Sequence, residues 1–203
     1  MNTKIRLLFP FLLLVGILIA ATKGPKTYEY TLESSVESQF QTANDSFDNM
    51  MDVLTHPRCM NCHPTDNIPK QGDDRHPHYF DMARGINDMG FSATKCTTCH
   101  QSENNKYSGV PGAPHWSLAP ASMGWQGLRR TEIAERLLNR ETNGGKSHEE
   151  LIKHMTEDEL VLWAWEPGVD DEGKERTPPP VSKEEFAKAV KDWFGDGAVI
   201  PSK

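Results

Sequence analysis

Cys59-Met60-Asn61-Cys62-His63 and Cys96-Thr97-Thr98-Cys99-His100 hold all 4 cysteines of this 203-residue chain in two copies of one pattern. C-x-x-C-H is the attachment motif of c-type haem. Two thiols three residues apart reach the two vinyl groups on one edge of a porphyrin. The histidine that follows then lies under the ring and offers a nitrogen to iron. With 4 cysteines and 8 histidines, the composition would produce this pattern by chance far less than once, and it occurs twice. The motifs therefore predict two covalently attached haems c. Cys59, Cys62, Cys96 and Cys99 are the anchors, and His63 and His100 the proximal ligands. A Cys₄ zinc site also uses paired C-x-x-C, but it gives no role to the histidine after each pair. A disulfide framework suits an exported chain, whereas pairs this close are usually catalytic, and nothing here looks thioredoxin-like.

The surroundings of the motifs repeat as well. CMNCHPTDN and CTTCHQSEN match in Cys, Cys, His, a hydroxyl residue, an acid and Asn, 37 residues apart. Pro77-His78-Tyr79 and Pro114-His115-Trp116 each place a histidine 15 residues after a motif histidine. Candidates for a sixth ligand on either iron are His76, His78, His115, His148, His154, Met123 and a few other Met residues, and the ligand's identity sets the potential, since Met raises it and a second His lowers it. Three lead. His78 lies in a Gly/Asp/Pro-rich loop, Met123 in the loop Ala-Pro-Ala-Ser-Met-Gly-Trp, and His154 at the end of a helix. Three candidates compete for two positions. Trp116, Trp125, Trp163, Trp165 and Trp193 serve either as core packing or as walls for a porphyrin.

Composition agrees with a cofactor-nucleated fold. Only 36% of residues are hydrophobic and the mean hydropathy is −0.62, a thin supply for a core. Much of that supply is Leu7 to Ala21, an apolar run behind Lys4 and Arg6. It reads as an export signal or a membrane anchor over 1–24, short of the ~20 apolar residues that span a bilayer. Export matters because covalent haem attachment takes place outside the cytoplasm, so the expected location is periplasmic or otherwise extracytoplasmic. Removing 1–24, which holds three bases and no acid, takes the net charge from −7 to −10. Nucleic acid is excluded as a partner, because phosphate binding needs clustered Lys and Arg. The run from Glu149 to Arg176, with 10 acids against 3 bases, reads as a solvated face or as a steering surface for a basic redox partner.

The fold class that follows is all-α, a small helical dihaem cytochrome c-like domain with extensive loop over 46–203, preceded by a linker over 25–45. Phe47, Met50, Met51 and Leu54 predict a helix from Ser46 to Leu54. A second helix is expected over Thr131 to Arg140. Capping boxes at Ser147/Glu150, Thr156/Glu159 and Ser182/Glu185 predict helices running to about Met155, Trp165 and Trp193, the last ended by Gly195. Between Pro57 and Trp125 no period is sustained, and so long an irregular stretch needs an external nucleus.

PRCMNCHP, QGDDRHPH, KCTTCHQ, GVPGAP, APASMGWQG, NGGKSHEELIKHM and LVLWAWEPG follow in that order between Pro57 and Gly168, a span of just over half of the chain. In these motifs the chain resembles dihaem c-type cytochromes, and more narrowly the small cytochrome proteins named isoquinoline 1-oxidoreductase subunits. That resemblance implies an electron carrier rather than an enzyme. Its redox partner would be a molybdenum hydroxylase of the xanthine oxidase type or a respiratory-chain component, with any hydroxylation done by the partner. The rival expectation is a dihaem peroxidase or reductase with one iron open to substrate.

Overall fold

A computed structural model describes residues 26–202; the signal or anchor segment expected over 1–24 lies outside them. The chain divides into two units, 1–37 and 38–203. Six α-helices are present among the described residues: α1 (Lys26–Leu54), α2 (Pro57–Met60), α3 (Arg130–Leu138), α4 (His148–Glu157), α5 (Glu159–Leu162) and α6 (Lys183–Gly195). A two-residue antiparallel hairpin, β1 (Lys70–Gln71) with β2 (His76–Pro77), is the one sheet among them. The all-α class expected from the sequence holds. Among the described residues no helix is long and apolar enough to cross a membrane.

The first helix corrects the expected linker. It begins at Lys26 rather than Ser46, so 26–45 is helical. No Gly or Pro falls between Lys26 and Leu54, and Glu, Gln and Ser cost a helix little, so nothing breaks it before Pro57.

In the second unit the core gathers around the apolar faces of four helices. α1 gives Phe47, Met50, Met51, Val53 and Leu54; α3 gives Ile133, Ala134 and Leu137. α4 supplies Leu151 and Met155 and lies against α6, whose Phe186, Val190 and Trp193 are buried. Phe47 meets Trp193 with ring centres 6.3 Å apart, and Trp165 meets Phe186 at 5.2 Å. Two of the core indoles are satisfied by carbonyls: Trp165 Nε1 donates to Val181 O and Trp193 Nε1 to Val199 O, each at 2.8 Å.

Two of the three capping boxes form as expected. Glu150 N donates to Ser147 Oγ at 3.2 Å while Ser147 N donates to the Glu150 carboxylate at 2.7 Å, and Ser182 with Glu185 repeats the exchange. Thr156 is not a cap. Its hydroxyl donates back to Ile152 O at 2.8 Å, so α4 runs on to Glu157. Asp158 starts α5 instead, accepting from Leu160 N at 3.0 Å. α6 ends at Gly195 as expected, and Gly197, at φ 88°, makes the left-handed turn just beyond it, where Ala198 N closes on Trp193 O at 2.8 Å.

Candidate functional site

Each motif histidine is held in the same way. His63 Nδ1 donates to Met123 O at 2.8 Å, and His100 Nδ1 donates to Pro111 O at 2.7 Å. A carbonyl oxygen only accepts, so the ring proton sits on Nδ1 and Nε2 is left as a bare lone pair. This is the orientation that a metal-ligating imidazole takes, its other nitrogen tied to a carbonyl. Each ring also lies flat on a tryptophan. His63 and Trp125 have ring centres 3.5 Å apart with planes 10° from parallel; for His100 and Trp116 the values are 4.5 Å and 4°. Stacking engages the ring face and not the Nε2 edge.

The acceptor carbonyls are placed by glycines that follow them. A Cβ on Gly124 would stand 2.9 Å from Pro64 O, and one on Gly112 would stand 2.2 Å from Glu103 O. Both glycines therefore let a returning loop press against the residues just after a motif. Backbone bonds pin that return: Ala119 N to Cys62 O and Trp125 N to His63 O, each 2.9 Å. At the second motif, Asn104 accepts from Gly112 N (3.0 Å) and from Trp163 Nε1 (2.8 Å), and donates to Glu166 O (2.8 Å). Arg84, buried, ties the first motif to its returning loop by donating to Pro64 O and Ala119 O, and it pairs with Asp88.

Electrostatics fit neutral ligands and unreactive thiols. Burial pulls the His63 imidazole down to about 4, against the opposing pull of its bond to Met123 O, and burial lowers His100 too. Burial pushes the Cys59 thiol up to about 12 and the Cys62 thiol up to about 11, and raises Cys96. A catalytic C-x-x-C needs a depressed thiol. These run the other way, and all four cysteines are free thiols. After burial, the next influence on Cys62 is Cys96, so the two motifs lie within electrostatic reach of each other.

The three candidate distal ligands part company. The His78 ring centre lies 5.9 Å from that of His100, and His78 Nδ1 donates to Tyr79 O at 2.7 Å. His154 Nδ1 bonds the Asp158 carboxylate at 2.9 Å, and its charge is felt at His63. Met123 is different. Its carbonyl receives His63 Nδ1, so its backbone stands on the side of the imidazole away from Nε2, and its side chain is 3% exposed within the core.

The residues present fit a haem better than a bare ion. Among the described residues no three His, Cys, Asp or Glu side chains are gathered for a metal ion, as a Cys₄ zinc set would require. A haem iron brings four porphyrin nitrogens and asks the protein only for axial ones. Trp125 Nε1 is buried beside His63 with no acceptor, and a porphyrin propionate is an acceptor of the right kind. Large exposed apolar side chains also concentrate around the second motif in sequence: Tyr79, Phe80, Ile86, Met89, Phe91 and Tyr107.

No protein-family model matches the chain, and no curated protein or solved structure matches it.

Sequence reasoning had named the thiols, both motif histidines and His78 and His154. It missed the carbonyls of Met123 and Pro111, the close-packed Gly112 and Gly124, and the parallel stacks on Trp116 and Trp125. The local signal for these was present: a small loop residue and an aromatic recur after each motif, in GVPGAPHW and SMGW.

Proposed function

We propose that the chain is an exported dihaem c-type cytochrome carrying single electrons between redox partners. The observation that carries this reading is the doubled histidine setting: in both C-x-x-C-H motifs Nδ1 is spent on a backbone carbonyl and the ring is braced on a tryptophan. Cys59 and Cys62 anchor one haem with His63 as proximal ligand; Cys96 and Cys99 anchor the other with His100. Each thiol would add across a vinyl group, its sulfur bonding to one carbon and its proton passing to the other, so attachment would consume no oxidant. Haem, when bound, supplies an iron that takes up and releases one electron.

The chain's own residues orient the two motif histidines. Met123 O and Pro111 O fix the tautomers, and Trp125 and Trp116 fix the ring planes. His154 is the distal ligand we assign to the haem of His63. Its Nδ1 is held by Asp158, whose carboxyl lies below the usual carboxylate range first because of that bond. Proximity of Cys62 to Cys96 favours electron exchange between the two haems. The resemblance adds a donor class, a molybdenum hydroxylase, with a respiratory-chain component as acceptor, and the acidic run Glu149 to Arg176 as a face for a basic partner.

A reductive titration of the purified, haem-loaded protein tests this. A carrier takes up two electrons per chain reversibly and has no turnover with hydrogen peroxide. Sustained peroxide turnover at one iron would install the dihaem peroxidase in its place.

A further inference from the structure

Two imidazoles in this protein stand in the relation that a shared metal would impose. Metal–imidazole bonds of about 2 Å on either side, with about 1 Å more from each Nε2 to its ring centre, separate the two ring centres by about 6 Å. His78 and His100 are 5.9 Å apart, with their planes crossed at 72°. Both have given Nδ1 to a carbonyl, Tyr79 O for His78 and Pro111 O for His100. Neither can donate to the other, because each Nε2 is an acceptor. At this separation a metal cation between the two rings would take both lone pairs.

We infer that His78 is the second axial histidine of the haem anchored at Cys96 and Cys99, so that this iron is six-coordinate and bis-histidine. The inference rests on the dihaem reading and assigns a ligand that the motif itself does not supply. The hairpin explains how a residue so far from the second motif arrives there. His78 N donates to Pro69 O at 2.8 Å, extending the β1–β2 ladder by one bond, and Tyr79 N donates to the Gln71 side chain at 3.1 Å. The hairpin is held in turn on the first motif, where Asn61 Nδ2 donates to Gly72 O at 2.9 Å. One element therefore docks on the first haem motif and delivers its histidine to the second. A closed bis-histidine iron has a lower potential than a His/Met one and no free site for an exogenous ligand.

The test uses the full chain matured with covalent haem. In wild type both haems are low-spin and bind no carbon monoxide. His78→Ala keeps the wild-type haem content, but half of the haem becomes high-spin, binds carbon monoxide, and returns to low spin with added imidazole. His78→Met gives half of the haem the near-infrared band of ferric methionine ligation and raises one of the two potentials. His76→Asn is the comparison, because His76 is two residues away and its Nδ1 bonds Asp74 at 2.6 Å. A His78→Ala protein with both haems still low-spin and closed would overturn the inference while leaving the dihaem reading intact. So would an open haem produced by His76→Asn instead. A wild-type protein without covalent haem would overturn both.

Discussion

His56 shows how one side chain near the first motif sets a pH response. It is the N-cap of α2, and its Nδ1 accepts from Arg58 N at 3.3 Å, a bond that only an unprotonated nitrogen can receive. Burial, and then the neighbouring Arg58 charge, lower its pKa from 6.5. A lowered histidine binds fewer protons in the folded state than in the unfolded one. Stability therefore falls as pH drops below the unfolded value. Urea midpoints of the haem-loaded protein should decline from about pH 7.5 to about pH 5.5, and His56→Asn, which keeps an acceptor without a titrating ring, should decline less. His56→Ala should cost about 1 kcal/mol at the upper pH. Parallel slopes for wild type and His56→Asn would show that the cap does not titrate.

At the scale of the elements, the loops that return onto the motifs set the orientation of the motif histidines. Gly112 and Gly124 each sit one residue after an acceptor carbonyl and against backbone that a Cβ would strike. Gly112→Ala should push Pro111 O away from His100, destabilise the protein by about 1–3 kcal/mol, and alter the low-spin signal of the second haem only. Gly124→Ala should do the same to the first. Low-temperature electron paramagnetic resonance of the ferric protein separates the two signals; an equal disturbance of both by either variant would contradict the assignment. Gly195→Ala is the control, since nothing lies within 4 Å of a Cβ there. Much of this level was readable beforehand. The capping boxes at Ser147 and Ser182 are local bonds between residues three apart, and they form as the residues dictate. Thr156 fitted the same pattern but failed because its hydroxyl had a nearer acceptor, Ile152 O. The return loops were not readable. Their bonds join residues far apart in the chain, such as His63 to Met123, and no period marks them.

For the whole molecule, the thin apolar supply has two destinations. The second unit's helical core takes Phe47, Met50, Ile133, Leu151, Phe186 and Trp193, while the stretch from Pro57 to Trp125 contributes little to it beyond Met60, Met123 and Trp125. That stretch holds instead both motifs, His78, both stacking tryptophans and most of the exposed large apolar side chains. Two porphyrins would supply the nucleus it lacks. Ligation could be divided only in part from sequence. Spacing points to His63 and His100 as proximal ligands, but it does not rank His78, His154 and Met123, whose bonding partners, Tyr79 O, Asp158 and His63, are seen only in the structure. The most direct test is the intact mass of the exported protein under denaturing conditions, with and without paired Cys→Ala substitutions. The account predicts a mass raised by two haems, falling to one haem in Cys59→Ala/Cys62→Ala and to one in Cys96→Ala/Cys99→Ala. An unmodified mass for the wild-type chain would contradict it.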